Sequence, residues 1–253
     1  MSLFILDLDG VVYRGNKLVK GAKETIERLR ERGERVVFLT NNSTYTLEDL
    51  VNKLTSLHLS CRKSDFYTSS EFVAKFLQRK FSPCRVMVIG ERGLKSALRR
   101  SGFEVVSRDW QVEVVVVGMD RNFNYEKLAC AQKAILGGAY FVAANADRTL
   151  PLEEGLCPGA GSILSALEAA TGRRAIVVGK PNPWILEEIL SHEGFSKRET
   201  FLIGDRLDTD IRLGKRAGVK TILVLTGVTR REEIGEEKPD IVIQRLEEIF
   251  SLL

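Results

Sequence analysis

The 253-residue chain has no uninterrupted apolar run of the length needed to cross a membrane, which sets a membrane-spanning protein aside. Met1-Ser2-Leu3 leads almost at once into an apolar stretch. The basic segment, apolar core and cleavage site of a secretory leader are missing, so a cytoplasmic protein is expected. Cys61, Cys84, Cys130 and Cys157 stand singly and no C-x-x-C spacing occurs, so neither a zinc site nor a disulfide framework is signalled. Histidine is scarcer still. His58 and His192 have no second histidine at ligand spacing and read as structural. The glycines of Pro158-Gly159-Ala160-Gly161-Ser162 lack a third glycine at dinucleotide-fingerprint spacing. No acidic residue at a following strand end can be assigned to a ribose, which argues against a nicotinamide or flavin site. There is no internal repeat and no low-complexity segment. The formal net charge is only +4, and Lys and Arg alternate with Glu, as in Glu24–Arg32. That pattern is a solvated helix face rather than a nucleic-acid stripe.

What is present is an ordinary soluble composition, 44% hydrophobic, organised around Leu3-Phe4-Ile5-Leu6-Asp7-Leu8-Asp9-Gly10. The apolar run Leu3–Leu6, bounded by a turn signal, reads as a buried parallel strand. Strands then alternate with amphipathic stretches. Gly21–Arg32 reads as a helix stopped by Gly33, Val36–Leu39 as a strand, and Leu47–Leu57 as a helix. Phe66-Tyr67-Thr68 leads into a helix over Ser69–Arg79, capped by Ser69 or Ser70. Near Phe81-Ser82-Pro83 the rhythm restarts, with strands at Arg85–Ile89, Val112–Val117 and Tyr140–Ala144 and helices at Leu94–Arg100 and Tyr125–Leu136. A helix over Ser162–Ala170 and a strand over Ala175–Val178 follow. Asn182 can cap a helix over Trp184–Leu190 with Pro183 at its first position. Phe201–Ile203, Thr221–Leu225 and Ile241–Ile243 are the last strands. This alternation predicts an α/β fold with a parallel sheet.

Four polar clusters directly follow apolar strands: Asp7/Asp9, Thr40-Asn41-Asn42, Lys180, and Asp205/Asp208/Asp210. In a parallel sheet such ends share one edge. Two carboxylates as close as Asp7 and Asp9 need a cation or a shared proton, unless the Asp-Gly only makes a turn. Several acids together call for a hard divalent cation with oxygen ligands, Mg²⁺ being the expected one. A lysine and a hydroxyl in the same place suit a phosphate group.

These stretches resemble those of the haloacid-dehalogenase-type phosphatases, in the branch of the 4-nitrophenyl, phosphoglycolate and pyridoxal phosphate phosphatases. The matching segments are Asp7-Leu8-Asp9-Gly10-Val11, Leu39–Thr44, Gly179-Lys180-Pro181 and Gly204–Ile211, with Pro158–Gly161 and Leu223–Gly227 in support. The resemblance spans the chain. It implies a Rossmann-like core, residues 1–80 and 179–253, with an α/β cap inserted over 81–178 that selects the substrate. It implies a Mg²⁺-dependent hydrolysis of small phosphomonoesters, with Asp7 as nucleophile and Asp9 as general acid and base. The metal falls to Asp7, the Asp9 backbone carbonyl and Asp205, with Asp210 orienting metal waters or Lys180. Thr40, Asn41 and Lys180 would hold the phosphoryl group, with Asn42 beside them. Asn145 and Asp147 in the cap either face the leaving group or form an Asx-type turn. Asp208 reads equally well as an exposed acid at a helix start, and Arg206 as structural. No nucleic acid or membrane partner is implied. Relatives often pair through the cap, which leaves a homodimer open. The competing classes are a phospho-acceptor signalling module and a phosphomutase. Asp9, placed to activate water, argues for hydrolysis.

Overall fold

Leu3–Leu6 forms a strand with all four side chains fully buried. It sits in the middle of a six-stranded sheet in the order Ile241–Ile243, Lys220–Val224, Thr200–Gly204, Leu3–Leu6, Arg35–Thr40, Phe66–Thr68. It runs parallel to both of its neighbours. The structure is a computed structural model describing residues 1–152 and 155–251. The expected α/β architecture with a parallel sheet is found. Register explains why chemistry gathers at one edge. Leu6 lies level with Ile203 and with Phe38. Asp7 is therefore one step beyond that line, and Asp205 and Thr40 are two steps beyond it on the flanking strands.

Contacts divide the chain into two units. The first holds Met1–Thr40, Val51–Tyr67 and the chain from Lys180 onward; the second holds Asn41–Leu50 and Thr68–Gly179. The second unit has its own five-stranded sheet, in the order Ile176–Val177, Tyr140–Ala143, Val114–Val117, Arg85–Ile89, Glu104–Val106. Its core sets Met87, Ile89, Val115, Val117 and Phe141 against Leu164 and Leu167. The division differs from the expected insertion at 81. The helix Ser69–Gln78 and the loop after Thr40 go with the second unit because of what they bond to. Gly93 N donates to Thr44 O at 2.9 Å and Leu94 N to Ser43 O at 3.0 Å. Arg100 and Glu71 join the helices Arg92–Arg100 and Ser69–Gln78 by an ion pair of 2.5 Å. The return to the first unit, between Gly179 and Lys180, lies one residue from the expected boundary.

Local differences have local causes. The helix at Ser69 is capped by Thr68, whose Oγ1 accepts from Glu71 N, and not by Ser69 or Ser70. Those two serines are buried and donate instead to the carbonyls of Asn41 and Ser43. The helix at Trp184 runs on to Glu193 and ends at Gly194 in the left-handed region. Two short hairpins, Tyr13–Arg14 with Lys17–Leu18 and Thr149–Leu152 with Gly155–Pro158, add to the expected elements, as does the edge strand Glu104–Val106. No described helix is long and apolar enough to cross a membrane.

Candidate active site

The sheet edge of the first unit gathers Asp7, Asp205, Asp210 and Lys180, all buried. Lys180 Nζ lies 2.7 Å from Asp7 Oδ1 and 2.7 Å from Asp210 Oδ1, and donates a longer bond of 3.4 Å to Leu39 O. Asp210 reaches it because the chain after Arg206 makes one turn of π-helix over Leu207–Ile211. Such turns recur where a side chain must be re-aimed. Gly204 ends its strand as glycine because a Cβ there would run into Asp210. Asp210 Oδ2 accepts from Arg206 N at 3.2 Å. Asp208 faces solvent and pairs with Arg206, so Asp210 is the acid that meets the lysine.

Asp205 is enclosed by two glycines. Gly10 has φ +86°, a left-handed conformation, and neither it nor Gly227 leaves room for a Cβ beside the Asp205 carboxylate. Val228 N donates to Asp205 Oδ2 at 2.7 Å, and Thr226 Oγ1 donates to Gly10 O at 2.7 Å. Thr226 thus ties the Leu223–Gly227 segment to the Gly10 turn, and Val228, the next residue on, ties it to Asp205.

Burial pushes Asp7 well above the usual carboxylate range; Lys180 opposes this, and the charges of Asp210, Asp205 and Asp9 add to it. Burial, reinforced by Asp210, pushes Asp205 up to about 7. Burial works against the charge of Lys180, but Asp210 and Asp7 outweigh it and hold the ammonium protonated. Asp9 is turned elsewhere, with Tyr13 Oη 3.5 Å from its Oδ2. Burial raises Asp9 as well, against the pull of Lys53.

The profile of the haloacid dehalogenase-like hydrolases matches residues 4–104, and a second hydrolase-like profile of the same group matches residues 177–249. A 5'-nucleotidase of Bacillus subtilis is 37% identical over 97% of this chain and 96% of its own. The chain belongs to the haloacid dehalogenase-like hydrolases. Among solved structures of the family, a 4-nitrophenylphosphatase of Thermotoga maritima is 38% identical with a TM-score of 0.94, covering 99% of this chain and 97% of its own. A glycerol phosphate phosphatase of Mycobacterium tuberculosis, solved in complex with magnesium, is 33% identical with a TM-score of 0.91, covering 98% of this chain and 76% of its own. The hydrolase is a phosphatase of the 4-nitrophenyl phosphatase branch.

The donor set of this hydrolase fits a hard divalent cation. Carboxylate oxygens of Asp7, Asp205 and Asp210 lie within 4.8 Å of one another. Three buried acids face one ammonium. Buried charge left without a partner is costly. Among the described residues, Asp205 Oδ1 is the one buried carboxylate oxygen with no hydrogen-bond partner. The Asp9 carboxylate is not in this acid group.

Within the second unit, Asn41 Nδ2 donates to Asp147 Oδ1 at 3.0 Å, and Asn145 Nδ2 donates to Asn41 O at 2.7 Å. Asp147 N donates to Asn145 Oδ1 at 3.1 Å, so the Asx-type turn is found at 145–147. Asn42 Oδ1 accepts from Thr44 N, Thr44 Oγ1 and Tyr45 N. It shapes its own loop. Thr40 is buried at the end of its strand in the first unit. Two residues escaped sequence reasoning, Tyr13 and Lys53. Lys53 Nζ stands 3.7 Å from the Tyr13 ring centroid and bears electrostatically on Asp9. Gly15-Asn16 could have flagged the hairpin that holds Tyr13, and the turn at Gly10, whose N–H donates to Tyr13 O, brings that residue beside Asp9. An ordinary lysine on an amphipathic helix carries no such flag.

Proposed function

We propose that this phosphatase hydrolyses small phosphomonoesters, 4-nitrophenyl phosphate among them, in a Mg²⁺-dependent reaction through an aspartyl-phosphate on Asp7. The observation that carries the proposal is the buried group of Asp7, Asp205 and Asp210 around one lysine, with one Asp205 oxygen unpartnered. The Asp7 carboxylate attacks phosphorus and the bond to the leaving oxygen breaks, while Asp9 gives that oxygen its proton. Asp9, now a base, takes a proton from water. The water oxygen attacks phosphorus, the bond to Asp7 breaks, and inorganic phosphate leaves. The Lys180 ammonium, the Thr40 hydroxyl and the Asn41 backbone N–H hold the phosphoryl oxygens. Asp210 aims Lys180. Asp7, Asp205 and the Asp9 carbonyl are the residues that would hold the cation. When bound, Mg²⁺ supplies positive charge that offsets repulsion between the nucleophile and an anionic ester. The inserted α/β segment over 81–178 acts as the cap that selects the leaving group. The 5'-nucleotidase and glycerol phosphate phosphatase among the relatives favour nucleoside monophosphates and polyol phosphates as substrates. The same reading puts the enzyme in the cytoplasm, where such esters are made.

A panel of phosphomonoesters assayed with Mg²⁺ and with chelator tests this. Continuous release of inorganic phosphate over many turnovers, abolished by chelation, is expected. A single burst without turnover would indicate a phospho-acceptor module, and return of the phosphate to a product would indicate a mutase.

A further inference from the structure

The residue after Thr40 and the residue before Lys180 are tied into one knot inside the second unit. The carbonyl of Asn41 accepts two side-chain hydrogen bonds, from Asn145 Nδ2 at 2.7 Å and from Ser69 Oγ at 2.9 Å. The donors are 4% and 1% exposed. The Asn41 side chain is pinned in turn by its bond to Asp147, which the Asn145 turn holds. Gly179 N donates to Ala144 O at 2.9 Å, and a Cβ on Gly179 would lie 2.7 Å from Asn41 Oδ1. One asparagine is thus fixed by groups 28 and 104 residues away in sequence.

A loop that only had to turn would leave its carbonyl to solvent or to its own backbone. Here both lone pairs of one carbonyl are filled by buried side chains, at the cost of ordering and desolvating each of them. The outcome is a rigid Asn41 backbone, and with it a fixed direction for the Asn41 N–H.

We propose that Ser69, Asn145 and Asp147 are positioning residues for the phosphoryl grip. They hold Asn41 and Gly179, the covalent neighbours of Thr40 and Lys180, and do not themselves touch substrate. This rests on the function proposed above, since it supposes that Thr40, Asn41 N–H and Lys180 bind the phosphoryl oxygens.

The test uses the full chain with Mg²⁺, comparing Asn145→Ala, Ser69→Ala and the double variant. Two readouts are taken: the inhibition constant of inorganic phosphate, and kcat/KM on 4-nitrophenyl phosphate and on an alkyl phosphomonoester. Each single variant is expected to lose about 10–100-fold in kcat/KM, the scale of a small misplacement of a binding group. The factor should be equal on the two esters, because the phosphoryl group is common to them, and phosphate inhibition should weaken in step. The double variant should lose less than the product of the single effects, because both donors serve one carbonyl. Folded variants with phosphate inhibition and kcat/KM within about two-fold of the parent would overturn the proposal, as would a loss confined to one leaving group. A merely structural role would lower the melting temperature and leave phosphate inhibition unmoved. If Asn145→Ala does not fold, Ser69→Ala, which removes a single hydroxyl, decides. Thr40→Ala and Lys180→Met run alongside. Normal phosphate affinity in those two would refute the function proposed above, and the positioning role with it.

Discussion

Replacing Asp205 by Asn should make the metal-free protein more stable and the metal-loaded protein less so. Asp205 is 1% exposed and sits with two other acids around one lysine. Asparagine keeps the bond from Val228 N through its carbonyl and removes one negative charge. The rise from the ordinary 3.8 to about 7 measures how strongly the folded protein resists ionising this group. At about 1.4 kcal/mol per pH unit, that rise sets a ceiling of about 4 kcal/mol. About 1–3 kcal/mol is the expected gain, because coupled acids redistribute protons when one is removed. The sign follows from linkage. A carboxyl with a folded pKa above its unfolded one binds extra protons when folded, so its cost grows as pH rises from about 4 to about 7 and is complete above that. Wild type in chelator should therefore weaken over this range more steeply than Asp205→Asn. Conversely, Mg²⁺ at 100 times its dissociation constant should stabilise wild type by about 2.7 kcal/mol, and the variant by far less. The chain has two tryptophans, Trp184 in the first unit and Trp110 in the second. Urea titrations followed by Trp184 fluorescence in a Trp110→Phe background, at roughly pH 5 and roughly pH 8, read the first unit alone. A variant less stable than its parent in chelator at the higher pH, or one with an undiminished Mg²⁺ shift, would refute the reasoning.

Lys180→Met should cost about 3–5 kcal/mol in chelator, because it leaves buried carboxylates unpaired; the same urea titration reads this, and a loss under about 1 kcal/mol would contradict it. Asp7→Asn should abolish turnover and the acid-trapped phosphoryl-enzyme detected by mass spectrometry, and a label found on Asp9 instead would count against the assigned roles. Asp9→Asn should lose about 10²–10⁴-fold on alkyl esters and less on 4-nitrophenyl phosphate, whose leaving group needs little protonation; equal losses on both would argue against Asp9 as the acid. Burial opposes the charge of Glu193, yet bonds from Arg35 and Tyr67 hold it below its ordinary 4.5. Its stabilisation is present above that value and is lost as pH falls further, so Glu193→Gln should flatten the acid limb of a pH–stability curve, and an unchanged limb would dismiss the network.

Much of the site was legible because each functional group follows an apolar strand. Asp7, Thr40 and Asp205 stand where hydrophobic runs stop on neighbouring strands of one parallel sheet, which brings them to one edge. Lys180 differs from the expected pattern, because the strand before it, Ile176–Val177, pairs in the other sheet, and it is the Lys180 side chain that reaches Asp7 and Asp210. The choice between Asp208 and Asp210 was not legible, because it depends on one turn of π-helix that adds a residue before the chain settles into the helix Arg212–Ala217. Ser69 looked like a cap by position. Its burial against the Asn41 carbonyl is a contact across 28 residues that no local pattern encodes. The same holds for Tyr13 and Lys53, which belong to separate elements and act on Asp9 only once folded. Composition restarts near Phe81, while the hydrogen bonds that bind the 43–44 loop to Gly93 and Leu94, and so group that loop with the second unit, leave no trace in either segment.

The strand order has a consequence for synthesis. Leu3–Leu6 is translated well before the partner on one of its edges, Thr200–Gly204. Every strand of the second sheet is complete by Val177. A fully apolar strand thus waits with one edge unpaired while the second unit is translated and is able to fold. Open apolar edges of that kind are where nascent chains pair wrongly. Leu3–Leu6 is only four residues long and runs straight into Asp7 and Asp9. Asp7 and Asp9 thus also stand as charged gatekeepers on the strand during the interval before its partner arrives.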